Sequence, residues 1–277
     1  MVIPVTDTRL RKISALRHNL QDPYAFIEDI EEAAGQPQHA ALAKQPQQAR
    51  QGRRHTEEAI KAAVRKLHID LWTRRAEFWR TPPTDPIEVI DAEKAVELIG
   101  YSLEMSDGLG FRQAQKGQQE VAGLIDRGER VIRLSRQFPG PSMAFTLAHE
   151  LGHAVLHPEG GGIHRDRSRD RSGASTSPTE FEADRFAVHF LMPERLVRER
   201  FEDRVGTAPF VLNDETAFAL RQKNLDIADE RFPTDRSLSR HLAGLEQYDT
   251  RHFPSLAAIF RVSLTTMAIR LEELGLV

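Results

Sequence analysis

The sequence predicts an α+β fold, mainly helical with a small three-stranded sheet, and three observations carry that reading. Apolar residues recur at three- and four-residue spacings over long stretches, short strand-like runs cluster between Tyr101 and Leu134, and Pro or Gly groups stop each pattern. The first helical stretch runs from about Thr8 to Ala34, with Leu10, Ile13, Leu16 and Leu20 on one face. Between Gln36 and Gln51 the chain holds six glutamines, two prolines and no acidic residue, a composition that buries little and suits a linker. Thr56–Arg80 is helical again, with Ile60, Val64, Leu67 and Leu71 in one stripe and Trp72 and Trp79 available to cover something. Thr81-Pro-Pro-Thr-Asp-Pro86 ends it, since each proline lacks an amide donor and disfavours helix in the residue before it.

A helix at Ala92–Leu98 stops at Gly100, and strands follow at Tyr101–Met105, Val121–Ile125 and Val131–Leu134, with Asp126-Arg-Gly-Glu129 as a hairpin turn. Phe138-Pro-Gly-Pro-Ser142 closes this part, with Ser142 placed to cap a helix reaching about His157. Pro158–Pro178, rich in Gly, Ser, Arg and Asp, reads as a mobile loop, and a second helix spans about Glu180–Met192 before Pro193. The chain thus divides into an N-terminal helical extension at 1–82 with its linker at 36–54, a central domain at 83–197 and a C-terminal helical region at 198–277.

Composition narrows the chemistry. The 277 residues carry a formal net charge of -3, so the chain is not the basic body of a dedicated nucleic-acid binder, and any DNA contact falls to local basic segments such as Arg50–Arg54 and Arg165–Arg171. No cysteine is present, which excludes disulfides, thiolate metal sites and a cysteine nucleophile and leaves His and carboxylates as the strong metal ligands. No run approaches the ~18 apolar residues of a membrane span, and no export signal is legible, so the expected location is the cytoplasm without membrane contact.

His149-Glu-Leu-Gly-His153 places two imidazoles four residues apart on one helical face, with the Glu150 carboxylate one step round. Two histidines that hold one ion, and a carboxylate beside its water, are the parts of a zinc-assisted hydrolysis. Two histidines on a helix are also a common structural feature, so a third ligand decides between the readings. On the second helix Ala183, Asp184, Ala187, Val188 and Leu191 form the inward stripe, while Glu182, Arg185 and His189 recur on the outside. Glu180 stands in line with the inward stripe, where a carboxylate needs a partner, and a metal supplies one. Asp184, one turn on, is placed to accept the other ring N–H of a ligand histidine. Glu180 also fits a capping box from Ser177, but Glu182 fits one from Thr179 equally well, which frees Glu180 for the metal. Glu182 and His157 stand as alternative ligands, and His164 falls in the loop. One zinc ion per chain is the expectation.

Set together, Met143-Ala-Phe-Thr-Leu-Ala-His-Glu-Leu-Gly-His-Ala-Val-Leu-His157 and Glu180-Phe-Glu-Ala-Asp-Arg-Phe-Ala-Val-His-Phe-Leu-Met-Pro193 resemble the ImmA/IrrE family of metallopeptidases. The run Leu256–Leu276 resembles the helix-turn-helix-like end of such proteins, placed here at 254–277. The resemblance implies a thermolysin-like zinc peptidase core in 83–197, with His149, His153 and Glu180 as ligands, Glu150 as general base and Asp184 supporting a ligand. It further implies a substrate that is a helix-turn-helix repressor, whose cleavage turns on stress, mobile-element or antiphage genes. A nucleic-acid-responsive binding protein that acts as an anti-repressor without proteolysis is the alternative. The net acidic balance of Ser263–Val277 argues against a phosphate-facing helix there.

Overall fold

In the computed structural model the described residues are 55–114, 117–159, 163–165, 178–221, 228 and 230–277. The expected helix near Thr8–Ala34, the Gln-rich linker, Arg50–Arg54 and nearly all of Arg165–Arg171 lie outside them. The first described helix, α1 (Glu57–Thr73), begins where the Thr56 side chain accepts the Ala59 N–H at 3.2 Å, with Glu57 and Glu58 favourably placed in its first turn. Its apolar stripe buries Ile60, Val64, Leu67, Leu71 and Trp72. The helix does not run unbroken to Arg80. It ends at Arg74, and a short α2 (Arg75–Phe78) follows, because the Trp72 carbonyl receives the Arg75 guanidinium at 2.6 Å while that guanidinium lies over the Trp72 ring.

A 3₁₀ turn at Pro86–Val89 leads into α3 (Ala92–Leu98), whose first two free amides, from Glu93 and Lys94, donate to the Asp91 carboxylate. Gly100, at φ +78°, takes the chain out of the helix in a conformation that strains any L side chain. Five strands follow: β1 (Ser102–Ser106), β2 (Phe111–Ala114), β3 (Gly117–Glu120), β4 (Gly123–Asp126) and β5 (Val131–Ser135). The three expected strands are β1, β4 and β5, and they lie side by side, β1 parallel and β4 antiparallel to the central β5. The Asp126 carboxylate accepts the Gly128 and Glu129 amides and so closes the turn between β4 and β5.

Two features depart from expectation. A separate hairpin of β2 and β3 was not legible in its Gln-rich residues, and β6 (Ile163–Arg165) lies within the stretch read as loop and pairs antiparallel with β4, adding a fourth strand to the sheet. Three residues are too few to display a period, so only the pairing reveals this strand.

The sheet is covered by α4 (Gly140–Leu156), and α5 (Pro178–Leu191) packs against α4. Ser142 does not cap α4: the helix starts at Gly140, behind Pro139, with Pro141 in its first turn where a missing N–H costs nothing. After Pro193 come α6 (Glu194–Val205), α7 (Asp214–Ala219), α8 (Asp235–Ala243), a hairpin of β7 (Gln247–Tyr248) and β8 (Arg251–His252), α9 (Leu256–Ile259) and α10 (Leu264–Glu273). The α9-turn-α10 pair is packed rather than presented, since α10 buries Met267, Ala268, Arg270 and Leu271. One apolar cluster runs from Ile60 in α1 to Leu276 after α10. Among the described residues no helix is long and apolar enough to cross a membrane.

The structure also corrects the assignment of faces on α5. Glu182 and His189 are buried and Arg185 is largely covered, because α1 packs across that side. Glu57 accepts hydrogen bonds from Arg185 at 2.6 Å and from His189. Arg185 reaches Glu273 of α10 at 3.0 Å, and Arg270 reaches the Met192 carbonyl at 3.2 Å. Burial raises the Glu57 carboxyl, but the Arg185 and His189 hydrogen bonds outweigh it and hold the group at about 2.

Two expectations follow. A chain starting at Thr84 strips the five buried apolar side chains of α1 from α5 and its neighbours, each contributing roughly 1.5–3 kcal/mol, a sum comparable to the ~5–15 kcal/mol stability of a domain. It should therefore be insoluble or lose its cooperative circular-dichroism melt, whereas a soluble, cooperatively melting product would show α1 to be dispensable. The second concerns His68, fully buried on α1 with its Nε2–H donated to the Phe190 carbonyl at 3.1 Å. Burial, partly opposed by that hydrogen bond, pushes its pKa down from 6.5 to about 4. The folded state thus favours the neutral ring. Stability is fully present above about pH 6.5 and is lost as pH falls towards 4, by about 3 kcal/mol in all. Urea melts at pH 7 and 4.5 should show this extra acid sensitivity in wild type and lose most of it in His68→Gln.

Candidate metal centre

The site is built on α4 and α5, and a glycine sets their distance. A Cβ on Gly152 would lie 3.1 Å from the Phe186 side chain and 3.2 Å from the Ala183 backbone, so the hydrogen alone lets α5 close on α4. Gly152 sits between the two motif histidines. Its role in helix approach escaped the sequence reading, although small residues at a helix crossing, Gly152 facing Ala183, were the available signal.

At that crossing three groups converge. His149 and His153 are 3% and 1% exposed, and their Nε2 atoms stand 3.0 Å apart. Glu180, from the first turn of α5, brings Oε2 to 3.5 Å from His149 Nε2 and Oε1 to 3.5 Å from His153 Nε2. Two atoms bound to one ion at ~2.0–2.1 Å in tetrahedral geometry are about 3.3 Å apart. The triangle of 3.0, 3.5 and 3.5 Å therefore has the dimensions of one face of a tetrahedral site. The outer ring nitrogens fit the same reading. His149 Nδ1 is 2.9 Å from Asp184 Oδ1, so its proton is donated there and Nε2 carries the lone pair; His153 Nδ1 is 3.2 Å from His157 Nδ1. Two ring nitrogens and a carboxylate gathered within 3.5 Å of one another in a buried setting suit a shared cation.

Glu150 is fully buried on the same helix. The start of β4 lies against it: a Cβ on Gly123 would stand 3.3 Å from Glu150 Cγ and 2.5 Å from Thr146 Cγ2. Strand and helix thus meet without an intervening side chain beside the carboxylate. Asp184 is part-buried, with a third of its side chain exposed, and its position against His149 is the one anticipated from helical spacing.

The two alternative ligands sit elsewhere. Glu182 and His157 group with His55, apart from the His149, His153 and Glu180 group. Glu182 Oε2 accepts the His157 Nε2–H at 2.9 Å and Oε1 accepts the His55 backbone N–H at 2.9 Å. Glu182 therefore does not act as the glutamate of a capping box, and Thr179, its expected cap, lies inside α5, which begins at Pro178. Burial lowers the His157 pKa against the pull of Glu182. His164 falls in β6, and its side chain is outside the described residues.

Residues 102–209 match the Peptidase_M78 family, described as the IrrE N-terminal-like domain. A relative from Bacillus phage phi105, named "Uncharacterized immunity region protein 2", is 30% identical over 82 residues, covering 29% of this chain and 50% of that protein. The chain thus spans about half the length of the curated relative it matches.

The contact at Gly123 generates a prediction. Gly123→Ala should lower stability by about 1–3 kcal/mol through overpacking against Thr146. Thr146→Ser, which removes the methyl in the way, should return most of the loss in thermal melts of the double variant. Equal melting of wild type and Gly123→Ala would show that strand and helix have room to part.

Proposed function

We propose, from the similarity of residues 102–209 to the IrrE N-terminal-like domain of the Peptidase_M78 family, that the chain is a zinc-dependent endopeptidase that cleaves and inactivates a helix-turn-helix transcriptional repressor. The observation that carries the chemistry is the tetrahedral-face triangle of His149, His153 and Glu180 beside the buried Glu150. In this reading those three side chains hold one zinc ion, which when bound polarises the scissile carbonyl and acidifies water. Asp184 fixes the tautomer and ring orientation of His149 by accepting its Nδ1–H.

Glu150 accepts a proton from the attacking water and delivers it to the leaving amine, so one carboxylate serves as base and then as acid. Its full burial keeps it out of bulk water until a substrate strand covers the site. A narrow regulatory substrate is supported by the relative named for a phage immunity region, and derepression of stress, mobile-element or antiphage genes in the cytoplasm is the corresponding role.

The test uses wild type and Glu150→Gln, each expressed with candidate helix-turn-helix repressors encoded nearby. Cleavage should fall by at least ~10²–10⁴ in the variant, while metal content by elemental analysis stays at one per chain. Derepression of a reporter by Glu150→Gln without repressor fragments would instead establish an anti-repressor that acts by binding.

A further inference from the structure

The hydrogen bonds around His157 have a direction. If His153 offers Nε2 to a metal, as the proposed function requires and on which this inference rests, its proton resides on Nδ1. An acceptor for that proton stands at His157 Nδ1, 3.2 Å away. His157 must then carry its own proton on Nε2, where Glu182 Oε2 lies at 2.9 Å. The second Glu182 oxygen is filled by the His55 backbone N–H at 2.9 Å, and the His55 ring donates to the Leu156 carbonyl at 2.9 Å. Every bond in the series has one donor and one acceptor, and one assignment of protons satisfies all of them.

We infer that His157 and Glu182 are positioning residues, a histidine-carboxylate relay that holds the His153 ring in its metal-binding tautomer and orientation. The relay is the counterpart of the direct His149–Asp184 contact. His149 meets a carboxylate at 2.9 Å, whereas His153 meets one through an intervening imidazole. Burial makes the device rigid: Glu182 is 3% exposed, and the start of α1 lies over it. The same pairings disfavour a second metal on His55, His157 and Glu182, since both Glu182 oxygens and the facing nitrogens are engaged with one another. The relay also connects the metal ligand to the segment that precedes α1, because the amide that completes it belongs to His55.

The experiment is a competition titration of zinc against a chromophoric chelator, using the full chain stripped of metal. Outer partners of metal-bound histidines are worth 10–100-fold in affinity. Glu182→Gln and His157→Phe should each weaken zinc binding within that range. Glu182→Gln in the His157→Phe background should cost nothing more, because a relay already cut has no second link to lose. His157→Asn, whose side-chain oxygen takes the place of Nδ1 and still accepts from His153, should retain more affinity than His157→Phe, although it removes more packing surface. That rescue separates positioning from bulk packing even where the Phe variant folds poorly. Unchanged affinity in both Glu182→Gln and His157→Phe, with Glu180→Gln losing the metal, overturns the relay and leaves the proposed function standing. Two zinc ions per wild-type chain, the second alone lost in Glu182→Gln, would make these residues ligands and overturn it as well. Absence of zinc binding by wild type would remove the reading beneath it.

Discussion

The close approach of α4 and α5 is the constraint on which the rest of the structure depends. Spacing within α4 aligns two histidines, but a third ligand must come from another element, and it can come only if that element lies within a carboxylate's reach. Gly152 and Ala183 permit the approach, and Phe186 and Phe190, fully buried, hold it. A helix crossing of this kind is set by the smallest residues at the contact. The sheet supports α4 from the other side, where Gly123 again removes a side chain so that strand and helix touch. Two missing side chains thus mark where α5 and the sheet lie closest to α4.

The convergence of the candidate site residues was legible because its parts are local. The four-residue spacing of His149 and His153 is a property of any α-helix, and Glu180 and Asp184 share a face of α5 for the same reason. The strands β1, β4 and β5 announced themselves through apolar runs and a turn with an Asp126 acceptor. What stayed hidden depends on contacts between distant segments. The side of α5 that carries Glu182, Arg185 and His189 looks polar and therefore exposed, yet α1 brings Glu57 and His55 to satisfy it, and a sequence pattern does not show which polar face will find partners 120 or more residues away. The hairpin β2–β3 and the strand β6 lack the apolar alternation that identifies a half-buried strand. The break at Arg74 comes from a guanidinium that captures a carbonyl, and no propensity encodes that.

Charge is handled differently at the two sides of α5. At the α4 side it is gathered: carboxylates and imidazoles aim at one point, which suits a cation. At the α1 and α10 side it is cancelled, with Glu57 and Glu273 against Arg185, and Arg270 against Glu273 and a backbone carbonyl. These pairs are part-buried, so removing one member leaves a charge whose cost solvent screening reduces but does not abolish. A rigid carrier for Glu180 follows from the second arrangement, and a candidate cation site from the first. Each depends on the other, since a ligand on a loosely held helix would not keep its place within the ~0.5 Å that a preorganised site requires.

The meeting of Glu57 and Glu273 at the single guanidinium of Arg185 has a topological consequence. The first and last helices of the described fold are neighbours against the same central helix, although more than two hundred residues separate those two glutamates along the chain. The fold is in that sense a closed ring of elements, opened between α10 and α1. Closed rings tolerate being opened elsewhere. A circularly permuted chain, with a linker joining α10 to α1 and new termini between β2 and β3, would keep α4 and α5 and the helices packed on them in one contiguous run, because both follow the cut.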